Sequence, residues 1–140
     1  MSKSTTGGAA AAGGMDFQHR VAAWLAVHVL AEKDTSLPWR LPSDVTLESI
    51  RCETEQPVDD VLVCTSVSGV CFLQVKKTLR LSSSGDSELA STVDQFVRQF
   101  VACRASSTGG RPWERPLNPA TDRLVLLVGA DCYHPIRVHL

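Results

Sequence analysis

The sequence predicts an α/β fold in which helices flank a mixed sheet, and three patterns carry that expectation. A helical stripe precedes three extended runs, a second helical stripe follows them, and a continuous apolar run comes last. A strand, a helix and another buried strand in succession form a crossover, so Val70–Lys76 and Leu124–Val128 are expected parallel in one sheet. The chain has 140 residues, 44% of them hydrophobic and 21% charged, which suits one domain. Folding at this size removes about two thirds of the surface of the unfolded chain, so neither disulfides nor a structural metal are required.

Residues 1–14 are Gly, Ala, Ser and Thr with little to bury, and read as a mobile arm before a domain spanning 15–129. Phe17, Val21, Trp24, Leu25, His28 and Val29 then fall on one stripe of a helix that runs from near Asp16 to about Lys33. Pro38 and Pro42 end it. Val45–Cys52 is a weakly alternating run, whereas Val58–Cys64 and Val70–Lys76 are clear strands joined by a short turn-forming segment, giving a hairpin. Ser82–Asp86 forms a loop ending in an N-cap at Asp86. Leu89, Val93, Phe96, Val97, Phe100 and Val101 mark a second helix of about sixteen residues. The breaker-rich stretch 105–122 is a loop long for a compact domain, and reads either as a functional surface or as a poorly ordered segment. Arg123–Gly129 lacks polar alternation, as a strand buried on both faces does. Residues 130–140 read as the start of a truncated C-terminal element.

Composition excludes several function classes. Fourteen Lys and Arg against fifteen Asp and Glu leave a net charge of −1, so any nucleic-acid contact must be local. Val21–Ala31, the longest apolar stretch, is about half of a bilayer span. The N-terminus lacks the apolar core of a secretory signal, and a cytoplasmic protein with no membrane association is expected. Five cysteines without a C-x-x-C pair read as small buried hydrophobes, and the four histidines lack ligand spacing.

The chemistry concentrates in the hairpin. Gln74 and Lys76 are two apart on a strand and share a face. Asp59 joins that face if the hairpin loop has an even number of residues, Asp60 if it is odd or bulged. Trp24 reads as core. Trp39 and Trp113, in Pro-rich loops beside Arg40, Arg111 and Arg115, read either as loop anchors or as nucleic-acid contacts.

An aspartate, a hairpin turn and Gln-x-Lys, set in helix-strand-strand-strand-helix-strand order, resemble the PD-(D/E)xK phosphodiesterase superfamily, also called restriction-endonuclease-like. More narrowly they resemble Mrr-like and anti-phage nuclease effector domains. Gly14-Met15-Asp16-Phe17-Gln18 resembles the Gly-rich opening and aromatic-Gln pair of that group, and Asp60 before Val-Leu-Val fits its aspartate-then-apolar pattern better than Asp59. The resemblance spans about residues 13–129 and implies a restriction-endonuclease-like αβββαβ core. It implies an Mg²⁺ or Mn²⁺ ion held by Asp60 and Gln74, with Asp59 as the alternative carboxylate. Lys76 would orient water or neutralise developing charge, and Gln18 would reach the site from the first helix. Lys77, Arg80, Arg111 and Arg115 would contact DNA.

An amide at position 74 removes one charge beside the ion, worth roughly a few kcal/mol at contact distance. Substrate phosphates, or Glu32, Glu53, Glu55 or Asp59, would compensate. The implied activity is metal-dependent endonucleolytic cleavage of DNA, and the partners implied by that resemblance are double-stranded DNA, a fused or associated NTPase or sensor module and further copies of the chain. The alternative keeps the fold without catalysis, as an interaction or assembly module.

Overall fold

In the computed structural model the described residues are 6–32, 37–80, 82, 84–106, 110–130 and 132. The order is α1 (Thr6–Ala31), β1 (Leu47–Cys52), β2 (Val61–Thr65), β3 (Val70–Lys76), α2 (Glu88–Ala105) and β4 (Arg123–Val128). The four strands form one sheet in the order β1-β2-β3-β4. β1 and β2 pair antiparallel, as do β2 and β3, while β3 and β4 are parallel, as the crossover argument requires.

Alternation on the central strands assigns the two faces. Val61 and Val63 of β2 and Cys71, Leu73 and Val75 of β3 point to one side, where Val21 and Leu25 of α1 complete a core. Leu62, Val70 and Phe72 point to the other and pack with Val58, Cys103 and Trp113, with Phe96 of α2 alongside. Covered on both faces, β3 is buried along nearly its whole length. β4 is equally apolar in sequence but only half-buried, because it occupies the sheet edge.

Three further features differ from their sequence expectations. α1 begins at Thr6, so residues 6–14 are helical rather than an arm; the Ala9–Ala12 run has the strongest intrinsic helix preference and carries the helix across the flanking glycines. Residues 1–5, 131 and 133–140 lie outside the described residues, and with them the rest of the expected arm and most of the expected C-terminal element. α2 is capped by Ser87, whose side chain accepts from the Ala90 N–H at 3.1 Å, and not by Asp86.

The third difference is rotational. Val93, Val97, Phe100 and Val101, read as the core stripe of α2, are exposed, and Thr92, Gln99 and Cys103 are buried instead. Gln99 accounts for this orientation. Its Oε1 accepts from the buried Val58 N–H at 3.1 Å, and its Nε2 donates to Gln56 Oε1 at 3.2 Å. A buried N–H left without an acceptor costs about 1–3 kcal/mol, so the helix presents the amide to the sheet.

Asp122 ties the start of β4 to the hairpin. Its carboxylate accepts from the backbone N–H groups of Val70 (2.9 Å) and Asn118 (2.6 Å) and from both terminal nitrogens of Arg115 (2.6 and 2.9 Å). Burial alone would push this carboxyl up, but Arg115 and the two N–H groups outweigh it and hold it below the ordinary carboxylate range. Among the described residues no helix is long and apolar enough to cross a membrane.

Candidate functional site

The β2–β3 connection decides between the two aspartates. Cys64 pairs with Val70 and Val61 with Leu73, so the loop holds an odd number of residues and the ladder, continued by one step, sets Asp60 opposite Gln74. Thr65 N–H closes the turn onto Gly69 O at 3.0 Å. Asp60 is therefore the aspartate that faces Gln74.

The contacts are direct. Gln74 Nε2 donates to Asp60 Oδ2 at 2.5 Å, and the backbone N–H of Val75 donates to the same oxygen at 2.6 Å. Two donors on one oxygen fix the carboxylate against the end of β3. Lys76 and Lys77, where β3 ends, line with Asp60 a hollow of about 610 Å³. This hollow lies at the carboxyl end of β3, where open α/β sheets commonly bind ligands. Gln18 reaches it from α1, donating to Glu53 Oε1 at 2.7 Å and to the Asp60 carbonyl at 3.3 Å. Gly13, also on α1, lies so near Lys77 that a Cβ there would stand 3.2 Å from the ammonium. Glycine thus lets the helix and the lysine approach.

The electrostatics are those of a crowded carboxylate. Burial pushes the Asp60 carboxyl above its ordinary value, and Asp59 and Glu53 add to the rise, while the Val75 N–H and the Lys76 ammonium partly counter it. Gln74 is almost wholly buried, and its Oε1 has no hydrogen-bond partner among the described residues. A buried acceptor without a donor, next to a carboxyl that burial holds above its ordinary value, is an arrangement that a hard cation would relieve. No three His, Cys, Asp or Glu side chains gather around one point among the described residues. The Asp60 carboxylate could hold such an ion, and the Gln74 amide oxygen could join it only with the amide turned, since its nitrogen faces Asp60 here; the other positions would fall to water and phosphate.

Of the residues singled out in the sequence, Gln18, Asp60, Lys76 and Lys77 share the hollow, and Gln74 is bonded to Asp60 beneath it. Arg80 is exposed and does not line it. Arg115 lies outside the hollow, where its guanidinium donates to Asp122 and to Ser68 O. Arg111 lies over the ring of Trp113, outside the hollow. Trp113 is buried and anchors its loop, while Trp24, read as core, is exposed, edge-on to Trp39 at 6.2 Å. Three of the five cysteines are buried and all five are free; burial pushes the Cys71 thiol up to about 12, which leaves it unreactive.

Sequence reasoning missed Glu88, which lines the hollow from the first turn of α2. The signal was present in the crossover itself, since a helix that returns a chain to a parallel strand starts near the carboxyl end of the strand it leaves.

A scan of protein-family models finds no match to this chain, and searches of curated proteins and of solved structures find none at a significant level.

Proposed function

We propose that the chain is a metal-dependent DNA endonuclease of the PD-(D/E)xK type, with a Gln-x-Lys variant of the motif. The observation that carries this reading is the meeting of Asp60 with Gln74, with Lys76 lining the same hollow at the end of β3. The α/β fold with its parallel β3 and β4 supports it.

Asp60 and Gln74 would hold Mg²⁺ or Mn²⁺, and the bound ion supplies an activated water and charge neutralisation at the phosphate. The remaining work falls to the chain itself. The Val75 N–H and the Gln74 amide fix the Asp60 carboxylate. Lys76 orients the attacking water, which gives up a proton to solvent as its new P–O bond forms, and offsets negative charge that builds on the phosphoryl oxygens while the bond to the leaving sugar oxygen breaks. The leaving oxygen takes its proton from solvent. Gln18 donates to Glu53 Oε1 and to the Asp60 carbonyl, so it is a positioning residue.

In this reading the domain is the effector module of a bacterial anti-phage or restriction system, acting beside an NTPase or sensor module. A weakly charged domain binds DNA poorly alone, and clustering of copies raises local concentration until cleavage begins. A second reading, an inactive nuclease-fold module used for assembly, is favoured by one observation: the Gln74 amide donates to the carboxylate that would otherwise bind the ion.

The test is cleavage of plasmid DNA with Mg²⁺ or Mn²⁺ by the oligomerised wild type beside Asp60→Ala and Lys76→Ala. The endonuclease reading expects nicking or linearisation that both substitutions abolish. Cleavage unchanged in both variants overturns the site, and no cleavage by the wild type supports the assembly module.

A further inference from the structure

The stripe of α2 that faces solvent has the pattern of a contact surface. Ala90, Val93, Val97 and Phe100 recur at intervals of three, four and three residues, the spacing of a seam between two paired helices. Val93 is 51%, Val97 56%, Phe100 46% and the adjacent Val101 56% exposed. Large apolar side chains on consecutive turns make one patch, which a scatter of single surface residues does not. The patch continues past the helix, because Phe100 shares a hollow of about 450 Å³ with Leu117, Pro119 and Leu124 at the edge strand. Asp122 and Arg123 also line that hollow, but Asp122 is engaged with Arg115, and Arg123 with the carbonyls of Trp39, Arg40 and Pro119.

The charges beside the patch indicate what covers it. Arg104 continues the seam four residues after Phe100, and its Cζ lies 6.0 Å from the Phe100 ring centroid. It meets no carboxylate among the described residues. Asp94, next to Val93 at the other end of the seam, is 64% exposed and holds Arg98 at 2.8 Å through Oδ2, which leaves Oδ1 open to a second donor. A copy of α2 laid antiparallel sets Val97 against Phe100 of the partner subunit. The same alignment sets Val93 against Arg104 of the partner subunit, whose guanidinium then lies beside Asp94. A two-fold axis makes each of these contacts twice. A parallel copy in register would instead bring the two Arg104 side chains together on the seam.

We propose that α2 pairs with α2 of a second copy of this chain in an antiparallel two-fold contact, seamed by Val93, Val97 and Phe100 and closed at each end by Asp94 with Arg104. The pairing removes from water the apolar face that Gln99 turns outward when it satisfies the Val58 N–H. It does not rest on the endonuclease reading; under that reading it supplies a face through which copies gather.

The test is sedimentation velocity of the full chain across the micromolar range, without DNA or metal. The wild type is expected to pass from monomer to dimer as its concentration rises. Val97→Glu changes a solvent-facing position, so it is expected to keep the far-UV circular dichroism of the wild type and to raise the dimer Kd by about tenfold or more. Asp94→Arg sets like charges together at both ends and is expected to weaken the dimer several-fold, and Asp94→Arg/Arg104→Asp to restore it. The charge exchanges leave the apolar seam intact and decide the matter if Val97→Glu folds poorly. A wild type that stays monomeric, a dimer indifferent to Val97→Glu, or a double exchange no stronger than Asp94→Arg overturns the proposal. So does a dimer lost in Leu30→Glu instead, which puts the contact on the exposed apolar end of α1. A monomer leaves the Asp60 site standing, and a dimer that does not cleave plasmid fails the endonuclease reading while upholding this interface.

Discussion

Replacing Asp122 with alanine removes the most heavily bonded carboxylate of the fold. The side chain is 1% exposed and accepts four hydrogen bonds of 2.9 Å or less, two from Arg115 and one each from the Val70 and Asn118 N–H groups. The guanidinium of Arg115 is a third exposed and recovers part of its loss from water, so its contribution is discounted. The two backbone donors do not recover so readily, at about 1–3 kcal/mol each. Together these predict a destabilisation of about 3–5 kcal/mol, in the range for breaking a buried pair. For a chain of 140 residues that corresponds to a fall in Tm of roughly 10–15 °C. Thermal unfolding followed by circular dichroism at neutral pH reads it directly. The pH dependence supplies the control. A carboxyl held below its ordinary value contributes stability that is present above the unfolded pKa and is lost as pH falls through the lower folded value. The gap between wild type and variant should therefore narrow in acid. A variant that melts within about 2 °C of wild type at neutral pH, or a gap that persists unchanged at low pH, refutes the assignment of Asp122 as the tie between β4 and the hairpin.

Asp60→Asn should behave in the opposite sense. Its carboxyl is raised by burial and by Asp59 and Glu53, so the native state favours the protonated form and loses stability as pH rises through the folded pKa. The amide variant should melt higher than wild type at neutral pH and converge with it in acid; a lower melting temperature at neutral pH counts against the raised value. Gln74→Glu restores a second carboxylate and should lower the Mg²⁺ or Mn²⁺ concentration needed for thermal stabilisation by about tenfold or more, while destabilising the metal-free protein; an unchanged metal midpoint tells against shared ligation. Gly129→Ala would place a Cβ 2.3 Å from the Lys77 carbonyl, where the backbone must shift. It should cost about 1–3 kcal/mol in urea denaturation and reduce cleavage by moving the lysine end of β3; wild-type stability contradicts that close approach.

The central part of the fold was legible because period and punctuation agree there. Val70–Lys76 matches its expected bounds, and the β2–β3 hairpin and the parallel β3–β4 pair follow from apolar runs whose partners are close in sequence or joined by one helix. The grouping of an aspartate with Gln74 at the end of β3 was legible up to one ambiguity, Asp59 or Asp60, because a one-residue slip exchanges the faces of a strand and the sequence does not show where each strand ends, and so how many residues the loop holds. Other features depended on tertiary competition. The exposed stripe of α2 is more apolar than the face it buries, yet Gln99 satisfies the Val58 N–H and the helix turns accordingly. Arg115 resembles any other loop arginine until Asp122, seven residues on, is seen to share its pocket. Glu53 and Gln18, 35 residues apart, meet only through the packing of α1 on β1.

The Val75 N–H that grips Asp60 belongs to the main chain, and this has an evolutionary consequence. A side-chain clamp can drift away by a single substitution, whereas this one persists as long as the two strands keep their alignment. Any acceptor at position 60 would meet the same main-chain donor whatever side chain stands at position 75, and residue 74 could change beside it while leaving the scaffold untouched.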